Sequence, residues 1–155
     1  MKRVQYSGVY IKDKMNNYKK LKDYYTSEHL VYRCCYHVIF CPKYRHKILI
    51  GKVSDRLKEI CNEVSIAHDF IIEEIETDKN HVHMIINCNP RYGVMKCIQL
   101  IKSTTAIRLF EEFPYIKKKY LWGGKFWSRS SFVASVGSVS LETVKKYIEN
   151  QGNKA

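Results

Sequence analysis

No apolar run in this chain approaches the roughly eighteen or more residues that a membrane-spanning helix needs. The N-terminal residues also lack the apolar core of a secretory signal peptide. The expectation is a cytoplasmic protein without a membrane partner. Cysteine is present at 34, 35, 41, 61, 88 and 97, but no pair has C-x-x-C spacing. Most of these residues sit in apolar segments, so they read as reduced core residues, not as a disulfide or zinc framework. A zinc cluster of Cys34, Cys35, His37 and Cys41 is disfavoured, because strand alternation puts Cys34 on the opposite face from the other three. Internal repeats and low-complexity segments are absent, as is the aromatic RNP1 string of a sheet-face RNA binder. Acidic residues are in deficit: 15 Asp and Glu face 27 Lys and Arg, for a net charge of +12. That surplus points to a polyanionic partner, with nucleic acid ahead of membrane.

What is present suits one folded unit. The chain has 155 residues, 45% of them hydrophobic, enough for a buried core. Residues 1–30 are polar, basic and rich in tyrosine, and read as a mobile N-terminal extension to a single domain at 31–155. Within that domain, residues 33–40 read as a strand ended by Pro42, and residues 54–68 as a helix with Val53, Leu57, Ile60, Val64 and Ala67 at helical spacing. Residues 70–77 form a second strand, joined through Asp78-Lys79-Asn80 to a third at 81–88. Asn89-Pro90 suits a helix start, with Val94, Ile98, Ile101, Thr105 and Leu109 as the buried stripe to about residue 110. Residues 111–125 read as irregular, and Phe132, Ala134 and Val136 alternate as a last strand. Strand, helix, strand, strand, helix, strand is the split β-α-β order of a ferredoxin-like (RRM-like) α+β fold. Its antiparallel sheet carries two helices on one face, and a further C-terminal helix follows.

The chemistry gathers around His81-Val82-His83 at the start of the third strand. A period of two sends Val82 to the face under the helices and both imidazoles to the opposite, open face, where a nucleic acid could reach them. Two imidazoles so placed can share a metal ion, or they are surface histidines at a strand mouth. Glu73, Glu74 and Glu76 lie on the neighbouring strand, within reach of the outer shell of such a site or along a solvated edge.

Near the C-terminus, Ser140 suits a helix cap, Glu142 its first turn and Gly152 its stop. Leu141, Val144 and Ile148 form a buried stripe, and Tyr147 and Gln151 sit one turn apart at its edge. Such a helix offers a phenol nucleophile and an amide oxygen together, although an amphipathic edge tyrosine looks the same.

His-hydrophobe-His on a strand, followed by Tyr147-x-x-x-Gln151 on a final helix, resembles the single-tyrosine HUH transposases (TnpA-type) of the smallest bacterial insertion sequences, which move as single-stranded DNA. Residues 36–45, reading Tyr-His-Val-Ile-Phe-Cys-Pro-Lys-Tyr-Arg, resemble that family's first strand and its exit. Residues 101–105 resemble its second helix; Leu121-Trp122, Phe132-Val133 and Val136-Gly137 resemble its run into the tyrosine helix. One departure is Asn80, where the family often has Asp. The resemblance implies Tyr147 as the catalytic nucleophile that forms a 5′-phosphotyrosine, and His81, His83 and Gln151 as metal ligands. Imidazoles alone favour zinc, whereas the resemblance implies magnesium or manganese. It also implies a homodimer, with the tyrosine helix able to act in trans, and binding of DNA hairpins. Lys43, Arg45, Lys102 and Arg108 are candidates for backbone contact, and Trp122 and Trp127 for base stacking. The competing readings are a non-catalytic ferredoxin-like nucleic-acid binder and a domesticated relative that cuts hairpin repeats.

Overall fold

The strand that carries the paired histidines, β5 (His81–Asn87), alternates as its sequence dictates. Val82, Met84 and Ile86 are fully buried, while His81, His83 and Ile85 are partly exposed on the other side. A computed structural model of the chain describes residues 25–27 and 29–136. In order, these form β1 (Tyr25–Ser27), β2 (Leu30–Tyr32), β3 (Cys35–Phe40), a 3-10 turn (Lys43–Arg45), α1 (Gly51–Ala67) and β4 (Ile71–Asp78). After β5 come α2 (Val94–Glu112), α3 (Pro114–Lys119) and β6 (Phe132–Ser135).

The main sheet has the order β4-β5-β3-β6, all antiparallel. The expected ferredoxin-like arrangement is therefore the observed one. Helices α1 and α2 lie on one face. Val53, Leu57, Ile60 and Val64 of α1 and Ile98, Ile101 and Leu109 of α2 pack onto Val38, Phe40, Ile75, Val82, Met84 and Ile86. Burying each such side chain contributes about 1.5–3 kcal/mol. All six cysteines are free, and all but Cys34 are buried, as expected of core thiols.

A β-bulge between Ile72 and Glu74 sets which side chains of β4 face the histidines. The extra residue shifts the alternation, so Ile72 and Ile75 both enter the core. Glu74, Glu76 and Asp78 are then cross-strand from Ile85, His83 and His81.

Four expectations need correction. The helix start at Asn89-Pro90 does not form. Asn89 is buried and turns the chain, its side-chain oxygen accepting from the Arg91 N–H at 3.0 Å and its carbonyl from Tyr92 and Gly93. Gly93, at φ 78°, then admits the chain to α2. Residues 111–125 are not all irregular, because Pro114 opens α3 at a position where its missing N–H costs nothing. The end of the stretch read as a mobile extension to residue 30 pairs instead in the β1–β2 hairpin, with Tyr25 and Tyr32 stacked at 6.2 Å, while residues 1–24 lie outside the described residues. The histidine face is also less open than expected. Cys35, Ile39 and Asn87 on that side are buried, and the Tyr25 hydroxyl reaches over to Glu73 at 3.4 Å.

Candidate metal and DNA site

His81 and His83 project side by side from the face of β5 opposite the helices. Each ring has a neighbour that fixes it. His81 Nδ1 is 3.0 Å from the Asn80 side-chain oxygen, so the ring carries its proton there and keeps the Nε2 lone pair available. His83 Nε2 is 3.1 Å from Nδ1 of His37 on β3, with the two rings stacked at 5.3 Å. His37 is two residues from Ile39, the direct cross-strand partner of His83, and reaches it diagonally.

The surroundings favour the neutral form of both imidazoles. Burial lowers the His83 pKa to about 4, helped by its two neighbours His37 and His81. Burial also lowers that of His81; the Asp78 carboxylate opposes the shift and the Arg45 guanidinium adds to it. A neutral imidazole is the form that binds a metal. A His83 ring that donates its Nε2–H to His37 keeps the Nδ1 lone pair free, so the two neutral rings can offer one nitrogen each to a divalent cation. Among the described residues, no group of three or more His, Cys, Asp or Glu has the geometry to hold a metal. A further protein ligand would come from elsewhere; Gln151 and the proposed nucleophile Tyr147 both lie outside the described residues.

The six DNA-contact candidates separate. Lys43 lines a cavity of about 500 Å³ together with Lys102, Lys125 and Arg129. Arg45 is at the same end of the sheet and acts on His81 through its charge. Trp122 is 82% exposed, as a stacking residue must be. The other three are occupied. The Lys102 ammonium donates to the carbonyls of Ser128 (2.9 Å) and Ser130 (3.2 Å) over the Phe40 ring, and so ties the segment before β6 to α2. Arg108 pairs with Glu63 across the helices, on the layer opposite the histidines. Trp127 is buried, edge-on to Phe40, and its indole N–H donates to Thr105 at 2.9 Å; its ring is not presented to a base.

His37, weighed in the sequence only within a disfavoured zinc cluster, is the site residue that sequence reasoning did not bring to the histidine pair. Only the pairing of β3 with β5, a non-local fact, brings its ring to His83.

A four-stranded antiparallel sheet with helices on one face and a histidine pair on the other defines the class, and comparison with known proteins places the chain within it. Residues 30–151 match the family model described as "Transposase IS200 like". The chain belongs to the IS200-like transposase family. It is 34% identical over 124 residues to the ISDra2 transposase TnpA of Deinococcus radiodurans, covering 80% of this chain and 88% of that protein. To the IS200 transposase of Salmonella typhimurium it is 29% identical over 127 residues, covering 79% of this chain and 80% of that one. A crystal structure of a candidate transposase from Deinococcus radiodurans superposes with a TM-score of 0.74 at 30% identity, covering 81% of this chain and 96% of that one. A REP-associated tyrosine transposase solved with a REP hairpin shares the fold alone, with a TM-score of 0.50 at 13% identity over 81% of this chain and 68% of that one.

Proposed function

We propose that this transposase is a metal-dependent enzyme that cleaves and rejoins single-stranded DNA at the ends of an insertion sequence. The observation that carries the reading is the pair of neutral, oriented imidazoles of His81 and His83 on one face of a transposase-family sheet. His81 and His83, with Gln151 as third ligand, would hold magnesium or manganese. Such an ion, when bound, supplies Lewis-acid pull on non-bridging phosphate oxygens. Asn80 and His37 keep the two rings in place. The remaining chemistry belongs to Tyr147. Its phenol, with an ordinary pKa of about 10, gives up a proton as the oxygen attacks phosphorus. The bond to the 3′ oxygen breaks, a 3′-hydroxyl leaves with a proton, and the 5′ end stays as a phosphotyrosine. Attack by another 3′-hydroxyl on that ester releases the tyrosine and reseals the strand. No bond energy is lost to water, so no nucleotide cofactor is required.

The same reading makes the protein a cytoplasmic homodimer that recognises DNA hairpins, with the tyrosine helix of one subunit able to serve the other. The strong basic surplus supports a nucleic-acid partner. No helix among the described residues is long and apolar enough to cross a membrane. The deciding experiment incubates the protein with labelled single strands from the gene's flanks, with and without magnesium, followed by denaturing electrophoresis. A protease-sensitive covalent adduct that needs the metal and vanishes in Tyr147→Phe is the expected result. Cleavage that persists in Tyr147→Phe overturns the assignment.

A further inference from the structure

The Lys43–Arg45 turn holds two consecutive non-glycine residues in the left-handed region, Tyr44 at φ 59° and Arg45 at φ 52°. A bulky side chain adopts that conformation only when its surroundings impose it. Here they do. The Lys43 N–H donates to the Phe126 carbonyl at 2.8 Å, the Arg45 N–H to Pro42 at 2.9 Å, and Pro42 bridges to Trp127. The strain is not repaid by burial, since Tyr44 is 70% exposed. The rigid turn therefore presents an aromatic ring to solvent.

The ring has company. His46 lies edge-on to Tyr44 at 6.0 Å and is itself 5.5 Å from the ring of Tyr120. Lys43 Nζ is 5.3 Å from the Tyr44 ring centre and Lys119 Nζ is 5.1 Å from that of Tyr120. The series is at the His81 end of the sheet: Phe40 pairs with Val82, and the Leu49 N–H donates to the Lys79 carbonyl at 2.9 Å. Its Lys43 side borders the basic cavity described above. Three adjacent rings with a cation at each end suit a single strand, a base on the exposed Tyr44 ring and phosphates on the ammonium groups.

We propose that Tyr44, with His46 and Tyr120 beside it, is a stacking platform for unpaired bases of a single-stranded DNA, with Lys43 and Lys119 as its phosphate partners. This rests on the reading that the protein acts on single strands, and it adds the surface that leads a strand toward the histidines.

The test measures anisotropy of a fluorescein-labelled single strand from the gene's flank, with full-length protein and no added metal. Tyr44→Ala weakens binding about ten-fold, while Tyr44→Phe and Tyr44→Trp stay within about two-fold of wild type. Lys43→Ala and Lys119→Ala each flatten the salt dependence by about 0.7 in log–log slope. Tyr44→Gly separates binding from folding. Glycine accepts the left-handed turn without strain, so this variant melts at a higher temperature yet binds as weakly as Tyr44→Ala. Wild-type affinity in Tyr44→Ala, or a joint loss of melting temperature and affinity in Tyr44→Gly, overturns the platform. If the wild-type protein binds no single strand, the functional reading fails and the platform with it. If it binds and forms the covalent adduct while the Tyr44 variants match it, only the platform fails.

Discussion

His37 Nδ1 lies 3.1 Å from His83 Nε2, and the two rings are 21° from parallel. At this separation two imidazoles share one proton when both are neutral, and burial holds His83 in that form. The pairing fixes the plane of the His83 ring before any cation arrives. Removing it should leave the ring free to turn. His37→Ala is expected to weaken manganese binding by about ten- to a hundred-fold, the usual cost of losing a group that orients a ligand. His37→Asn, which retains a hydrogen-bonding group, recovers part of that loss. Calorimetric titration with manganese reads both; a His37→Ala protein that binds as wild type removes His37 from the site.

Asn80 sets up a second comparison. Its amide oxygen lies 3.0 Å from His81 Nδ1, a place that a carboxylate could also take. A neutral acceptor orients the ring but adds little to its basicity. Asn80→Asp should therefore tighten metal binding, and Asn80→Ala should weaken it by about ten-fold or more. The same titration gives both numbers. Unchanged affinity in both variants means the amide does not orient the ligand.

The contrast between these two partners shows what could be read from the sequence. Asn80 is adjacent to His81, so its relation to the ring was visible in one dimension. His37 was not, because its proximity depends on the β3–β5 register. The sheet itself was legible: Val82, Met84 and Ile86 alternate with the histidines, and one buried face enforces that period. Asn89-Pro90 misled for a local reason. Asn89 spends its side chain and carbonyl on a turn, a use as native to asparagine as capping. Pro114 was a valid start signal within a stretch read as irregular, but α3 has only 6 residues, too few to show a period. Neither the Tyr44 strain nor the Glu73 bulge has a sequence signature at all, since glycine, the usual marker, is absent from both.

Beneath the β1–β2 hairpin the protein should be sensitive to alkali. Burial pushes the Cys35 thiol up to about 12 from an ordinary 9.0, with the Glu73 carboxylate adding to it. The Tyr25 phenol rises to about 12 from 10.0, again through burial first and Glu73 second. Both groups hold their protons more tightly folded than unfolded. Their stabilisation is full below the unfolded values and is lost as pH rises from about 9 through about 12. Many lysines and tyrosines titrate in the same range, so the informative quantity is a difference. The melting temperature of Tyr25→Phe should fall less steeply than wild type across that window, when followed by circular dichroism. Parallel curves would show that Tyr25 does not contribute.

Trp122 and Trp127, five positions apart in sequence, should respond in opposite ways. The Trp127 indole donates to Thr105 Oγ1 at 2.9 Å, and the Thr105 hydroxyl donates onward to the Ile101 carbonyl at 2.6 Å. All three residues are buried. Thr105→Val keeps the shape but strands the indole N–H, which should cost about 1–3 kcal/mol in urea unfolding and leave single-strand affinity unchanged. Trp122, at 82% exposed, has no packing to lose. Trp122→Ala should leave stability within about 0.5 kcal/mol of wild type while weakening DNA binding by a few-fold or more, on the order of 1 kcal/mol or above per stacked base. Loss of DNA affinity without loss of stability in Trp127→Phe would instead return Trp127 to the interface. That outcome would require the segment from Phe126 to Ser128 to leave its pairing with Cys41 and Lys43 when DNA binds.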